Sequence, residues 1–197
     1  VYICTNGMFM RKKMRDYLAG EFLRDPAKIS HEMEILLSEE LITQAQVAEI
    51  RSAKPAQGHV IAPSKWMYWN VHLDGLERTH DLIVEREGVF QECIAAIRMA
   101  KVLGYQVATN TTVYKETEMS ELERMFDYLS WLGVDGHTIS PGYDYDAAKK
   151  DMMKRLNLQP ENFFLTREMT KRKFQNIRAW GEKYTFFGTP IYLDFLA

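Results

Sequence analysis

The sequence predicts an α/β fold in which parallel strands alternate with helices. Three observations lead to this prediction. Four short segments rich in apolar and β-branched residues are separated by stretches with helical spacing, turn residues follow three of these segments, and 197 residues suffice for one hydrophobic core. Strands joined through helices pair in parallel by right-handed crossovers. An open sheet and a full or partial barrel both satisfy this pattern, because periodicity does not separate them.

The first strand is Val1–Cys4, and a Thr-Asn-Gly turn closes it. The connection to the second strand is unusually long and helical. An Asp-Pro pair at 25–26 provides a cap and a first-turn proline for one helix. Thr43 and Gln46 form a capping box for a second helix. We therefore expect residues 19–65 to be a helical insertion and not a separate domain.

Three further strands continue the alternation, at Trp66–Leu73, Tyr105–Tyr114 and Val134–Ser140. Between the first two of these, apolar residues recur at helical spacing from Phe90 to Ala100. The next helix is expected to begin with a capping box formed by Ser120 and Glu123. These two helices supply the crossovers of the predicted parallel sheet.

The chain after the fourth strand is predicted to be mainly helical, at Tyr145–Leu156 and from about Thr166 to Lys183. Thr185–Leu196 is expected to be a last strand or a buried closing segment. Residues 157–197 then form a C-terminal helix and closing segment, and residues 1–197 belong to one domain. The sequence has no start methionine, which suggests a piece of a longer protein.

Composition excludes several classes of function. The 25 basic and 27 acidic side chains give a net charge of −2, so we expect no nucleic-acid partner. No run of about 18 apolar residues is present, which argues against a membrane-spanning helix. The two cysteines, Cys4 and Cys93, exclude a disulfide framework or an all-cysteine metal site within these residues. No metal ligand is therefore predicted here.

Polar side chains collect where the predicted strands end, which is where parallel α/β folds bind ligands. Alternation along the second strand places Asn70, His72 and Asp74 on one face. Such a polar line would be costly inside a purely apolar core, which favours a ligand pocket. Turn and capping chemistry is the alternative explanation for the same residue types. The four strand ends are CTNG at 4–7, HLDG at 72–75, NTT at 110–112 and SPG at 140–142.

This ordered set of segments resembles the radical SAM superfamily. The similarity is closer to the adenosyl-hopene transferases of hopanoid biosynthesis, and it covers nearly the whole chain apart from residues 19–65. It is carried by the segments YICTNG, WNVHLDG, HDLIVEREGVFQECIAAIRMAK, GVDGHTISPGYDY and PIYLDFLA. The resemblance implies a partial (β/α)6 barrel of the TIM type, of which this chain carries about the third to sixth strands.

The resemblance also implies the chemistry. A [4Fe-4S] cluster would cleave S-adenosylmethionine reductively to a 5′-deoxyadenosyl radical, which adds to the alkene of diploptene to give adenosylhopane. The cluster motif CxxxCxxC and the GGE motif of the superfamily are absent from the sequence, and we expect both to lie upstream. The helical insertion is a second departure from the family, and it leaves the exact substrate open.

The resemblance assigns roles to the strand ends. Cys4 would donate a hydrogen atom to the substrate radical, since a thiol has a weak S–H bond; the alternative is a buried structural cysteine. Asp74 would accept hydrogen bonds from the cofactor ribose; the alternative is an Asp-Gly turn. For His72 the alternative is a structural histidine, which is the commoner role of a lone histidine on a strand. Ser140 and Pro141 would approach the adenine through backbone groups. The remaining predicted cofactor contacts are Thr5, Asn6, His72, Asn110 and Thr112.

The resemblance implies as partners a polycyclic lipid substrate and an electron donor such as a flavodoxin or ferredoxin. A reduced, oxygen-sensitive cluster favours a cytoplasmic location, with a peripheral membrane contact because hopanoids are membrane lipids. Two alternatives stay open. One is a radical SAM enzyme of the same build acting on a different substrate. The other is a cluster-free interaction protein in which the helical insertion docks a partner.

Overall fold

The computed structural model describes residues 1–53, 60–143, 164–188 and 190–197. It confirms an α/β protein with one four-stranded sheet. The strands are β1 (Tyr2–Thr5), β2 (Tyr68–His72), β3 (Gln106–Val113) and β4 (Gly136–Pro141). They are parallel and lie side by side in chain order, so each crossover moves the chain one strand along the sheet.

Helices connect the strands and follow the last of them. The first crossover contains α1 (Met10–Phe22), α2 (Pro26–Ser38) and α3 (Gln44–Ser52), and the second contains α4 (Glu77–Ile83) and α5 (Val89–Val102). The third crossover is α6 (Met119–Trp131), and the chain ends with α7 (Arg167–Ala179), a 3-10 turn at Trp180–Glu182 and α8 (Pro190–Leu196). None of the helices in the described part of the chain is long and apolar enough to cross a bilayer.

Local sequence explains where two helices of the first crossover begin. Pro26 is the first residue of α2, and Oδ1 of Asp25 accepts a hydrogen bond from the Lys28 backbone N–H at 3.1 Å. At α3 the Thr43 hydroxyl accepts from the Gln46 N–H at 3.2 Å, and the Gln46 side chain accepts from the Thr43 N–H at 3.0 Å. Both predicted caps are confirmed.

The sequence did not predict α1, which packs against α2, α3 and α5. Its Met10, Met14 and Leu18 are buried and lie four residues apart, so they form a single apolar stripe. Six of the other positions are charged and mask this periodicity: Arg11, Lys12, Lys13, Arg15, Asp16 and Glu21. The first crossover is therefore a packed three-helix layer that joins the common hydrophobic core.

The predicted capping box of α6 is wrong. The helix begins at Met119 with Glu118 as its N-cap residue, and no side chain caps it, so Ser120 already lies inside the first turn. Glu121 instead accepts hydrogen bonds from the Leu76 backbone N–H and the Thr79 hydroxyl, both at 3.0 Å. Glu121 therefore links the start of α6 to the start of α4.

The closing segment, predicted at Thr185–Leu196, does not form a last strand, which was one of its two predicted forms. Phe186 forms a single parallel bridge with His137 of β4, and the chain then turns into α8 instead of extending as a strand. The predicted helix at Tyr145–Leu156 lies outside the described residues.

The two faces of the sheet have opposite character. One face carries Trp69, Val107 and His137, all buried, and helices cover it. Phe126 of α6 lies 4.5 Å from the His137 ring, measured between ring centroids, and α5 packs on β3. The opposite face, which we call the polar face, is defined by the side chains of Cys4, Asn70, His72, Asn110, Thr112, Thr138 and Ser140.

Aromatic rings close the amino-terminal end of the polar face. The ring of Phe187 lies 5.3 Å from that of Tyr68 and 6.4 Å from that of Tyr2. A Cβ atom on Gly136 would come within 2.7 Å of the Phe187 ring, so the glycine allows this close approach. The polar side chains of this face lie towards the opposite end, where the strands have their carboxyl ends.

Candidate functional site

Strand register brings the predicted site residues into rows across the polar face. His72, Asn110 and Thr138 are paired partners on β2, β3 and β4. One step further along the strands, Thr112 pairs with Ser140. These side chains are half-buried. Neighbouring parallel strands lie about 4.8 Å apart, so one small ligand could contact several of these side chains at once.

Asp74 is the most deeply buried of the predicted residues, with an exposed fraction of zero. Its Oδ1 accepts a hydrogen bond from the Thr112 backbone N–H at 2.7 Å, which ties the end of β2 to β3. Its Oδ2 lies 2.8 Å from Nε2 of His72, an ion-pair contact. Among the described residues, Oδ2 has no hydrogen-bond donor of good geometry. The carboxylate therefore faces protein groups and depends on the imidazole for compensation of its charge.

Two histidines flank this carboxylate and respond to it differently. The contact with Asp74 raises the pKa of His72 above its ordinary value, and partial burial acts in the opposite direction. His80 is fully buried, accepts at Nδ1 from the Asp74 backbone N–H at 3.3 Å, and has its pKa lowered, chiefly by burial. The rings of His72 and His80 lie 5.8 Å apart. His72 is thus the histidine favoured to carry a proton, and His80 the one kept neutral.

Cys4 lies on the polar face beside Asn70, its paired partner on β2. The Asn70 side-chain Nδ2 donates to Sγ of Cys4 at 3.8 Å, a weak contact that orients the thiol. Asn70 is only 8% exposed, and among the described residues its Oδ1 has no hydrogen-bond partner. Cys4 itself is exposed. A buried amide oxygen without a partner is unusual in a structural core and is consistent with a place for a ligand donor.

Thr5 and Asn6 have local partners after β1. The Thr5 hydroxyl accepts from the Gly7 N–H at 3.0 Å, and the Asn6 side chain accepts from the Met8 N–H at 3.4 Å. Gly7 has a φ of +81°, and a Cβ there would lie 2.7 Å from Sγ of Cys93. Turn chemistry therefore accounts for both side chains, and their contact with a cofactor stays a prediction.

Hydrogen bonds connect the polar groups of β3 with those of β4. Thr138 donates from Oγ1 to the Thr109 carbonyl at 2.9 Å and lies 3.3 Å from the Asn110 side-chain oxygen. Pro141 is buried and Ser140 half-buried at the end of β4. The adjoining Gly142 N–H donates to Val113 O at 2.8 Å. The backbone after β4 is therefore tied to β3, close to where the predicted adenine contact would lie.

The described residues do not fit an iron–sulfur cluster. They contain no group of three or more His, Cys, Asp or Glu side chains placed to hold a metal ion. Burial raises the pKa of the Cys93 thiol to about 12, and its Sγ donates to the Asn6 carbonyl at 3.2 Å. A thiol held in its protonated form is a poor metal ligand, because metals bind the thiolate.

Sequence reasoning missed two residues of this site, Thr138 and His80. Alternation along β4 carried the signal for Thr138, because it lies two residues before Ser140 on the same face. His80 follows the HLDG segment closely in sequence, but its contact with the Asp74 backbone could not be predicted, since it is made from a different element, α4.

Comparison with known proteins adds no family to this description. No protein-family model matches the chain, and no curated protein is significantly similar to it. The structure therefore shows an α/β protein whose polar face lies at the carboxyl ends of its parallel strands.

Proposed function

We propose that this chain is part of a radical SAM enzyme, in which the four-stranded sheet is a segment of a partial (β/α)6 barrel. The observation that carries the proposal is the polar face itself. Four parallel strands in chain order place a thiol, two amides, an imidazole and three hydroxyls on the same side of the sheet, and helices cover the other side. In barrels of this kind the ligand lies inside, at the carboxyl ends of the strands.

The groups of the polar face suit S-adenosylmethionine. The cofactor offers hydroxyl and amino donors, and Oδ1 of Asn70 is a buried acceptor without a partner among the described residues. Asn110 and Thr112 provide further polar contacts, and the tied backbone at Ser140 and Pro141 would approach the adenine. A [4Fe-4S] cluster, held elsewhere in the polypeptide, would supply the reductive cleavage of this cofactor. The described residues hold no cluster ligands, so the proposal requires them from other parts of the polypeptide.

Cys4 is proposed as the hydrogen-atom donor. After a deoxyadenosyl radical adds to an alkene, a carbon radical is left, and transfer of hydrogen from the Cys4 thiol forms a C–H bond and a thiyl radical. One electron from a flavodoxin or ferredoxin and one proton then restore the thiol. Cys4 suits this role because it is exposed on the polar face, whereas Cys93 is buried and donates to the Asn6 carbonyl in the turn after β1.

The proposed substrate is a polycyclic alkene lipid of the hopene class, and the product would be adenosylhopane. This assignment rests on the resemblance of the segments around β1, β2 and β4 to the adenosyl-hopene transferases. The same build acting on another substrate is the closest rival. A cytoplasmic enzyme in peripheral contact with a membrane is the expected setting for such a lipid.

The proposal is tested on the full-length reading frame. We expect three clustered cysteines upstream of Val1, a cluster on anaerobic reconstitution, and consumption of S-adenosylmethionine. Cys4→Ala should lower formation of the saturated adduct by at least about 100-fold, the scale of losing a catalytic group, while cofactor cleavage continues. Cys93→Ala is the matched control and should keep the activity.

Two outcomes would overturn the proposal. If the neighbouring region lacks the clustered cysteines, the enzyme assignment fails and a cluster-free interaction protein is the better hypothesis. If Cys4→Ala forms the saturated product at the normal rate, the donor role fails while the superfamily assignment stands.

A further inference from the structure

A His–Asp pair at the carboxyl end of β2 is arranged so that its imidazole is held in place and could bind a ligand. Asp74 is fully buried, and the Thr112 N–H holds its Oδ1 at 2.7 Å. Its Oδ2 contacts Nε2 of His72 at 2.8 Å. The imidazole is the outer member of the pair, with a side chain that is 33% exposed. A buried carboxylate behind a half-exposed imidazole fixes the ring and selects which nitrogen faces outward.

Nε2 of His72 faces the carboxylate, so Nδ1 is the ring nitrogen left for another partner. It makes no hydrogen bond to the described residues, and the neighbour of His72 in its row is Asn110, followed one strand further by Thr138. Thr138 uses its hydroxyl to donate to the Thr109 carbonyl. The Thr138 hydroxyl, which already donates, can only accept a further hydrogen bond, whereas the side-chain Nδ2 of Asn110 on the neighbouring strand is still able to donate. The donors available to a ligand here are therefore the imidazole N–H and this amide.

Charge determines what such a position attracts. The side chains that define the polar face include no lysine, arginine, aspartate or glutamate. The carboxylate of Asp74 is withdrawn behind His72, with no exposed surface. A protonated His72 is consequently the only full charge that these side chains present, and it is positive.

We propose that the His72–Asp74 pair binds an oxyanion, a carboxylate or a phosphate of a small ligand, through Nδ1–H of a protonated His72. Asp74 acts as a positioning residue that keeps the proton on the imidazole and makes no direct contact with the ligand. The inference goes beyond the radical SAM proposal and does not depend on it, because it requires only the strands of this chain. It also explains why a buried carboxylate occurs at a strand end that faces a ligand site.

The groups facing His72 determine its pH dependence. Asp74 favours the protonated imidazole. His80 of α4, with its ring 5.8 Å away, would oppose it only if it were charged, and burial lowers the pKa of His80, which disfavours its charged form. Because the pKa of His72 is raised, anion binding is strongest below that pKa and is lost as the pH rises through it.

The experiment is a histidine-resolved NMR titration of the 197-residue chain with sodium acetate and, separately, inorganic phosphate. His72→Gln assigns the resonance. At pH 6 we expect both probes to shift the His72 ring signals, with affinity about tenfold higher than at pH 8.5, the scale of one charge-assisted hydrogen bond. Asp74→Asn, which keeps an acceptor for the Thr112 N–H, should lower the pKa of His72 and the affinity at pH 6.

His31→Gln is the matched control, because His31 is an exposed histidine of α2, and it should leave binding unchanged. A response to acetate alone or to phosphate alone identifies the class of oxyanion. No response of His72 to either probe at pH 6 would overturn the inference. So would an unchanged His72 pKa and affinity in a folded Asp74→Asn variant. Failure of cluster assembly in the full-length protein would remove the radical SAM proposal without affecting these titrations.

Discussion

Two histidines, one on β2 and one on β4, show how the face of a sheet decides the role of a residue. His72 lies on the polar face, and a carboxylate contact raises its pKa. His137 lies on the covered face, is 1% exposed, and has Nδ1 2.6 Å from the Thr109 hydroxyl. Burial lowers the pKa of His137 to about 4, so it stays neutral at pH 7. The first histidine is suited to a ligand and the second to the core.

The pKa of His137 predicts acid sensitivity of the fold. Its pKa in the unfolded chain is about 6.5, so the folded state disfavours protonation. This contribution to stability is fully present above pH 6.5 and is lost as the pH falls towards about 4. The loss amounts to roughly 3 kcal/mol at full extent. Urea unfolding at pH 7 and pH 4.5 measures it, and His137→Gln should reduce the difference.

His31→Gln is the control and should keep the full pH difference. If His137→Gln does not fold, the NMR titration of His137 in the unmodified chain tests the same idea. A His137 pKa near 6.5 in the folded chain would contradict it.

The two cysteines should differ sharply in reactivity. Cys4 is exposed, whereas Cys93 is fully buried with its thiol pKa raised to about 12. We expect one thiol per chain to react with iodoacetamide in native buffer at pH 8 and two in denaturant, because the thiolate is the reacting form. Peptide mapping should place the native label on Cys4, and native labelling of Cys93 would contradict the structure.

At the scale of single elements, helix starts show where local chemistry suffices. The cap of α3 forms from two side chains three residues apart, so its hydrogen bonds require nothing from the rest of the fold. The start of α6 has similar sequence chemistry but does not use it. There Glu121 bridges to α4, and the helix begins one residue before Ser120.

This contrast predicts two different mutational effects. Thr43→Ala should lower the free energy of unfolding by about 1 kcal/mol, because it removes the acceptor for the Gln46 N–H. Ser120→Ala should cost nothing, since Ser120 lies inside the helix and alanine is the better helix former. Urea denaturation of both variants makes the comparison. Equal destabilisation by the two substitutions would indicate that Ser120 caps α6 after all.

At the scale of the whole molecule, the parallel register creates the site. Three crossovers each move the chain to the next strand, so residues far apart in sequence become neighbours in a row. Helices cover only one side of the sheet among the described residues, and the aromatic rings around Phe187 close the amino-terminal end of the other side. The polar face is therefore a consequence of topology together with strict alternation along each strand.

Much of the fold could be predicted from the sequence. Strand positions, the α/β class, the parallel arrangement and the caps at Asp25 and Thr43 all follow from interactions within a few residues or from a simple period. Helix α1 was missed because its apolar stripe of Met10, Met14 and Leu18 is narrow and surrounded by charges. The predicted start of α6 was wrong: the helix begins at Met119 without a side-chain cap, and its first turn contacts another crossover through Glu121.

The sequence by itself determined which side chains share a face of each strand, because alternation with a period of two depends only on the backbone. It therefore placed His72 with Asp74, and Asn110 with Thr112, at the strand ends. Only the tertiary structure decided that Asp74 is buried behind His72 and bound by the Thr112 N–H, and that His80 arrives from α4. Such contacts join residues on different elements, and their distances are set by packing of the whole core, which no local pattern encodes.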